Sequence, residues 1–469
     1  MFSKNLKQVC YSFVFMKVHL IAIGGSAMHN LAIALSDKGF EVTGSDDEVF
    51  EPSKSRLSKK GLLPSQMGWD EARIHDQLDA VIVGMHARKD NPELLRAQAL
   101  GLKIYSYPEY LYEQTKEKVR VVIGGSHGKT SITSMVLHVL NAAGIETDYM
   151  VGAQLAGFDC MVKLSHSAKF VVLEGDEYLS SPTDLRPKFH LYQPHIALIS
   201  GIAWDHINVF PTFEDYVRQF DIFIDCIEPN GKLIYSEDDH EVLALATKSR
   251  YRPLNTRGYA AHDHVVEDGL TYLITEKGRV PLKIFGMHNL QNLNGARWVT
   301  KELGVSDEVF YQAISTFEGA SKRLEIVARR NQGIIFKDFA HSPSKLKATS
   351  AAVKKQYAHH RLVACMELHT FSSLNAQFLE QYAHAMDEPD VAIVYFNPHT
   401  IEHKRLTPIS VADVKRAFQR DDLVVLTDAA LVKMILLETD WYRTNLLWMT
   451  SGNFDGLDIA ELAQQLAMD

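Results

Sequence analysis

Cysteine is scarce in this chain: four in 469 residues, at Cys10, Cys160, Cys226 and Cys365. None pairs in a C-x-x-C spacing, so neither a zinc site nor a disulfide framework is indicated, and reduced thiols are the simplest reading. Long apolar runs are missing too. No stretch approaches the roughly 18 residues of a membrane-spanning helix, so no span is expected. Positive charge is in deficit: 49 Lys and Arg stand against 58 Asp and Glu, a formal net charge of -9. That balance argues against bulk electrostatic binding of nucleic acid or anionic lipid, and leaves room for a small basic pocket. There is no internal repeat and no low-complexity tract. What remains is an ordinary globular composition, 46% hydrophobic and 23% charged, in a length that suggests roughly three domains.

The first residues are a separate matter. The apolar stretch 10–15 is too short for the core of a signal peptide, and no small-residue cleavage site follows it. Met16-Lys17 then leads straight into an apolar run. Met1 is either a misassigned upstream start or the opening of a short genuine extension.

Alternation of short apolar runs with helical patterns sets the fold class. Residues 18–23 form a continuous apolar run of strand length ending in Gly24-Gly25, a helical pattern covers 28–38, and 40–43 reads as the next strand. Further buried strands are expected at 80–83 and 103–105. This β-α-β order indicates an open parallel sheet. The charged stretch 113–120 reads as a linker. A second unit opens with a strand at 121–123 and a helix over 131–143, with more strands at 170–173 and 196–200. Residues 265–282 alternate around Asp268-Gly269 and Lys277-Gly278, which predicts antiparallel hairpins. A third unit begins near Ser321, with strands expected at 334–336, 362–366, 391–396, 423–426 and 445–449.

The strongest local signal is Gly125-Ser126-His127-Gly128-Lys129-Thr130, between a strand and a helix. Glycines let backbone N–H groups turn toward an anion, a helix N-terminus adds partial positive charge, Lys129 adds a full one, and Thr130 offers a hydroxyl to Mg²⁺. The spacing is a shortened G-x-x-G-K-T, since the full motif would place glycine at Ile123. The bland alternative is an ordinary strand-to-helix turn. The strand at 170–173 ends in Glu174-Gly175-Asp176-Glu177, where carboxylates suit Mg²⁺ or are simply solvated. Asp205-His206 follows the strand at 196–200. Gly286-Met287-His288-Asn289-Leu290-Gln291-Asn292 precedes a helix that Asn292 could cap. Lys322-Arg323-Leu324-Glu325 reads alone as a solvated charged face, and Asp338-Phe339-Ala340-His341-Ser342-Pro343 as a turn into a helix. Gly24-Gly25-Ser26-Ala27-Met28, with Asp46 further on, has the look of a nucleotide-diphosphate loop without the later glycines of a dinucleotide fingerprint. His262, His264, His359 and His360 read as surface histidines.

In this order the pieces resemble the Mur ligases of peptidoglycan assembly, over nearly the whole chain from Met16. The resemblance implies an α/β protein of three domains: a Rossmann-like UDP-sugar domain over 16–115, a central phosphate-loop ATPase domain over 116–320 and a Rossmann-like C-terminal domain over 321–469. It implies a cytoplasmic ligase using ATP and Mg²⁺, with UDP-N-acetylmuramate and a peptide or amino-acid amine as partners. The stretches Gly44 to Pro52, Asp176 to Tyr178 and Lys188 to Pro194 look most like the subfamily that adds the tripeptide L-Ala-γ-D-Glu-meso-diaminopimelate. The L-alanine-adding subfamily is next. Two other classes stand further off: a dehydrogenase, which leaves Lys129-Thr130 unexplained, and a non-catalytic nucleotide-binding protein.

Carried over residue by residue, the resemblance gives nucleotide binding to Gly125, Ser126, His127, Gly128, Lys129, Thr130, Ser131, Asn289, Asn292, Arg323 and Asp338. Metal binding falls to Thr130, Glu174 and His206, and the reaction centre to Lys129, His206, Arg323 and His341. The UDP-sugar substrate falls to Gly24, Gly25, Ser26, Met28, Ser45, Asp46, His86 and Lys188. Three departures stand out, the first being that the stretch 179–183 is not the more aromatic and acidic one expected after the acidic motif. Gly175 replaces the family's alanine. The stretch 367–371 lacks the arginine common to both subfamilies. Phe220 stands where some members carry a carbamylated lysine, as it does in the two nearest subfamilies. Arg186, Lys188, Arg361 and His369 could meet carboxylates of a long amine or could equally be surface charges.

Overall fold

The computed structural model describes residues 16–85, 87–153, 158–181, 184–248, 254–267, 269–319, 324–330 and 332–467. The expected sites His86 and Arg323 and the segment before Met16 lie outside the described residues. The chain is α/β and divides into two compact units. The first runs to Gln114 and includes Cys160–Ser167 and Leu179–Arg186, and the second takes the rest.

The first unit has a four-stranded parallel sheet in the order Glu41–Ser45, Lys17–Ile21, Ala80–Val83, Ile104–Ser106. The helix Ser26–Asp37 follows the first strand and buries Leu31, Ala32 and Leu35. The strand stops two residues sooner than its apolar run, because Ala22 turns to φ 65 and its carbonyl accepts from Gly25 N at 3.4 Å.

The second unit carries two larger sheets, one parallel and one mixed. The one earlier in the chain, here the nearer sheet, runs Asn255–Tyr259, Lys232–Ser236, Ile196–Ile199, Val119–Gly124, Phe170–Gly175, Thr147–Met150. A separate three-stranded antiparallel sheet, His264–Glu267, Leu270–Thr275, Gly278–Leu282, realises the expected hairpins. The far sheet is six-stranded, in the order Glu325–Arg330, Gly333–Asp338, Thr444–Met449, Arg361–Leu368, Val391–Phe396, Val424–Leu426. Only its first pairing is antiparallel. Its core is continuous with the nearer region: the Phe285 ring meets Phe336 and Tyr357 edge-on, each at 5.9 Å.

Two readings of the sequence need correction. The stretch 113–120 is no extended linker: the helix Tyr107–Thr115 runs into it and the strand Val119–Gly124 begins within it. Its charges misled, because Arg120 is buried rather than solvated. The guanidinium donates to Tyr192 O and Gln193 O at 2.9 Å, to Lys116 O at 2.6 Å and to Glu228 at 2.7 Å. His262, likewise, is buried rather than superficial, with Nε2 2.8 Å from the Tyr311 hydroxyl.

Arg120 anchors the start of the strand whose end makes the phosphate loop. Arg120→Met should destabilise the protein by roughly 3 kcal/mol, the cost of orphaning a buried charge's partners. Denaturant unfolding of the two proteins measures it, and a loss below about 1 kcal/mol, the scale of an exposed pair, would contradict this anchoring role.

Candidate active site

The strand Val119–Gly124 delivers the chain to the carboxyl edge of the nearer sheet, where ligands bind in open α/β folds. Two glycines shape the turn that follows. Gly125 has φ +134, and a Cβ there would lie 2.1 Å from Ser200 Oγ. Gly128 has φ +79 and would put a Cβ 2.4 Å from Asn292 Oδ1. Gly128 also caps the helix Lys129–Ala142 without a side-chain hydrogen bond, so the first-turn N–H groups remain available to an anion.

Lys129 Nζ donates to Gly125 O and to Glu177 Oε2, both at 2.6 Å. Burial alone would lower the Lys129 pKa, but Glu177 and Asp176 outweigh it and hold the amine charged, above the usual lysine range. Glu177 is itself buried and accepts from the Tyr216 hydroxyl at 3.0 Å, with His206 Nε2 3.7 Å from the same carboxylate. Tyr216 reaches this point from the helix Phe213–Asp225, which Thr212 caps and whose apolar face buries Phe220 and Phe223. Phe220 sits between the rings of Phe189 and Tyr216, each at 5.4 Å, so this position supplies no amine for a carbamate.

Thr130 Oγ1 donates to Glu174 Oε1 at 2.9 Å, and the other oxygen of Glu174 accepts from Gly152 N at 2.8 Å. A hydroxyl and a carboxylate so placed fit Mg²⁺, which takes few protein oxygens and fills its sphere with phosphate and water. Among the described residues no cluster of three His, Cys, Asp or Glu side chains could hold a metal alone. His206 lies beside Glu177 with its ring 5.0 Å from Tyr178.

The helix Met287–Glu302 and the far sheet complete the cavity. Asn292 is no cap, because that place is taken by Gly286; its amide faces Gly128 instead. Asn289 Nδ2 donates to Phe285 O at 2.9 Å. Asp338 ends the strand Gly333–Asp338, is buried, and accepts from Leu324 N and Thr349 Oγ1 at 3.2 Å. With residues 126–131, Glu174 and the asparagines, it lines one cavity of about 360 Å³. Lys345 and Thr349, from the helix Pro343–Gln356, line it too. The motifs did not single out these two, nor Tyr216 as the hydroxyl that joins Ser126 to Glu177. Lys345 lies two positions past Pro343, so only that helical continuation pointed to it. His341 sits at the same sheet edge, with Nδ1 2.9 Å from Phe339 O and its own carbonyl accepting from Tyr382 OH at 2.5 Å.

The remaining residues expected at the substrate are scattered. In the first unit, Asp46 Oδ2 accepts from Gly24 N at 2.7 Å, with Ser26 exposed at the helix start. Met28 is buried, and so is Ser45, whose hydroxyl donates to the buried Glu93. Lys188 lies in the second unit, its Nζ 2.5 Å from Asp176 Oδ2. Burial opposes the Asp176 charge, but Lys188 and Lys129 hold that carboxyl far below the usual range. Arg361 opens its strand at the amino end, away from the edge that carries Asp338. Arg186 is exposed and paired with Asp184 at 2.6 Å.

A phosphate loop with a charged lysine and an adjoining hydroxyl–carboxylate pair defines a nucleotide-dependent phosphoryl site. Residues 17–118 match the Mur ligase family catalytic domain, and residues 123–299 match the Mur ligase middle domain. The UDP-N-acetylmuramate--L-alanine ligase of Sulfurihydrogenibium sp. (strain YO3AOP1) is 31% identical over 81% of this chain and 82% of its own. The UDP-N-acetylmuramate--L-alanyl-gamma-D-glutamyl-meso-2,6-diaminoheptandioate ligase of Haemophilus influenzae is 27% identical over 94% of this chain and 97% of its own. The murein peptide ligase of Psychrobacter arcticus has the same fold, at TM-score 0.64 and 22% identity over 96% of this chain and 99% of that one. The chain therefore belongs to the Mur ligase family and is an ATP-dependent, amide-forming ligase. Among the described residues no helix is long and apolar enough to cross a membrane.

His127 gives this site a pH signature. Burial first, then Lys345, lowers its pKa from 6.5 to about 4. Between those values the unfolded chain takes up a proton that the folded one refuses. The contribution of neutral His127 is full above pH 6.5 and falls as the pH drops toward 4. His127→Gln should flatten the fall in melting temperature between pH 7 and 5. Equal slopes in the two proteins would contradict the burial of a neutral imidazole.

Proposed function

We propose that this protein joins the lactyl carboxylate of UDP-N-acetylmuramate to the amine of L-Ala-γ-D-Glu-meso-diaminopimelate, in the cytoplasm, during peptidoglycan recycling. In this reading residues 16–115 hold the UDP-sugar, 116–320 the ATP and 321–469 complete the site. The carboxylate oxygen attacks the γ-phosphorus in line and ADP leaves. The amine nitrogen then attacks the resulting acyl phosphate, the C–N bond forms and phosphate leaves. Phosphorylation is needed because oxide is a poor leaving group.

Catalysis here is chiefly positioning of phosphoryl charge. The loop 125–131 cradles the phosphates and Lys129 turns from Glu177 to the β/γ oxygens. Asn289 and Asn292 are assigned to the adenine side, and Arg323 and Asp338, of the linker and third domain, to the nucleotide. Thr130 and Glu174 would hold Mg²⁺, with His206 offered to a second ion; the metal neutralises phosphoryl charge when bound. Gly24, Gly25, Ser26, Met28, Ser45, Asp46 and His86 are assigned to the UDP-sugar, and Lys188 to substrate beside Asp176. His341 stands near the reaction centre.

The observation that carries the ligase chemistry is the join of Lys129 and the Thr130–Glu174 pair in one cavity. Support for the peptide amine comes from the length of the match, 94% of the chain for the Haemophilus influenzae peptide ligase against 81% for the L-alanine ligase above. The higher identity of the latter, 31% against 27%, favours L-alanine and makes that the second reading. With ATP and UDP-N-acetylmuramate, kcat/KM for the tripeptide should exceed that for L-alanine by at least about tenfold. A preference for L-alanine, read as phosphate release, would overturn the amine assignment and leave the ligase chemistry standing.

A further inference from the structure

A carboxylate with no exposed surface lies inside the first unit. Glu93 stands in the first turn of the helix Pro92–Ala99. Asn91 already accepts from the first-turn N–H groups of that helix, and the Glu93 carboxylate turns to other segments instead. Its Oε1 accepts from Asp70 N at 2.9 Å, with Arg73 Nη1 3.7 Å away. Its Oε2 accepts from the Ser45 hydroxyl, and His19 Nε2 lies 3.3 Å from the same oxygen. His19 is buried as well, with Nδ1 2.8 Å from Thr43 Oγ1. Burial opposes the Glu93 charge, but His19, Asp70 N and the Ser45 hydroxyl outweigh it and hold the carboxyl below the usual range.

Two of these segments meet at Asp46. Ser45 directly precedes it, and Ser45 O accepts from Ile23 N at 3.0 Å. The turn that carries Asp70 reaches it through Gly68, whose N–H donates to Asp46 O at 2.7 Å. Arg73 holds the same turn by donating to Gly68 O and Gln66 O, each at 2.9 Å. Asp46 Oδ2 in turn accepts from Gly24 N, and a Cβ on Gly24 would lie 2.9 Å from that oxygen. A buried ion is not needed for stability alone, since packed apolar groups of similar volume often serve as well or better. What this one supplies is geometry at the end of the second strand.

We propose that Glu93 is a positioning residue for the UDP-sugar: it sets Asp46 against the Gly24-Gly25 loop by gripping its neighbours from two sides. The inference rests on the reading that assigns this loop and Asp46 to the UDP-sugar, and deepens it. It also changes the part played by Ser45. A hydroxyl has one proton to donate, and that of Ser45 is spent on Glu93, so its side chain acts on the substrate only through that carboxylate.

Calorimetric titration of UDP-N-acetylmuramate, and separately of ATP, into the full chain reads the two ligands apart. Glu93→Gln keeps the shape and removes the charge. It should weaken UDP-N-acetylmuramate by at least about tenfold, on the scale of one lost charged hydrogen bond, and leave ATP unchanged. Ser45→Ala should weaken it in the wild-type background, yet add less than about twofold in the Glu93→Gln background, because the two residues act as one unit. Unchanged UDP-N-acetylmuramate affinity in Glu93→Gln, an equal loss of ATP affinity, or additive effects of the two substitutions would each overturn the proposal. If Glu93→Gln lacks a cooperative unfolding transition, His19→Leu decides in its place, since it removes a donor to Glu93 from within the sheet. Weaker UDP-N-acetylmuramate binding with intact ATP binding then supports the proposal, and unchanged binding overturns it. Asp46→Asn separates the proposal from the reading beneath it. Binding weakened by Asp46→Asn and not by Glu93→Gln contradicts the positioning role alone; full binding in Asp46→Asn contradicts the assignment of this loop to the UDP-sugar, and the proposal with it.

Discussion

The ammonium of Lys129, held in a half-buried turn between Gly125 O and Glu177, is the interaction on which the rest of the site depends. A cation kept away from water is costly unless matched, and here the match is made by a shell of groups. Glu177 is in turn fixed by Tyr216, and Tyr216 by Ser126 of the same loop. The ring of contacts leads from the loop to the helix Phe213–Asp225 and back. It leaves Lys129 charged and close to the helix N-terminus, where an incoming polyphosphate can replace Glu177 as its partner.

Placing that loop requires rigid support below it and a wall above it. Support comes from the strand Val119–Gly124, whose two sheet neighbours are parallel and whose first turn is tied down by Arg120. The wall comes from a different sheet. Asp338, Lys345 and Thr349 belong to the far sheet and its first helix, yet line the same cavity as residues 126–131. The contact of Phe285 with Phe336 and Tyr357 makes the two regions one packed unit. The cavity is therefore built by two sheets of one compact unit, and neither makes it alone.

Much of the fold was legible because buried parallel strands are written as continuous apolar runs. The runs at 80–83, 391–396 and 445–449 reappear as Ala80–Val83, Val391–Phe396 and Thr444–Met449. Charge was the misleading signal. The charged stretch 113–120 read as a linker, whereas carbonyls of residues distant in sequence offset the desolvation of the buried Arg120. His262 failed for a related reason, since it lies between two strands and its partner Tyr311 comes from the distant helix Asp307–Ile314. The phosphate loop could be read because its chemistry is local, with glycine, lysine and threonine adjacent along the chain. The cluster of aromatic rings around Trp204 could not. Trp204, Phe213 and Phe378 have no common spacing, and only the fold brings their rings together. Asn292 was ambiguous for the same reason: a cap and a ligand-facing amide look alike until Gly128 is seen opposite.

The central claim is that Lys129 carries charge for phosphoryl transfer rather than for folding. Lys129→Ala alone would leave Glu177 without its cation, so the measurement pairs it with Lys129→Ala/Glu177→Gln, which removes both charges. Phosphate release with ATP, UDP-N-acetylmuramate and the tripeptide is followed for each, with thermal unfolding as the check on the fold. The account predicts a loss of at least about 100-fold in kcat in both variants, with a cooperative unfolding transition retained in the double variant. Near-normal phosphate release from the folded double variant would contradict it.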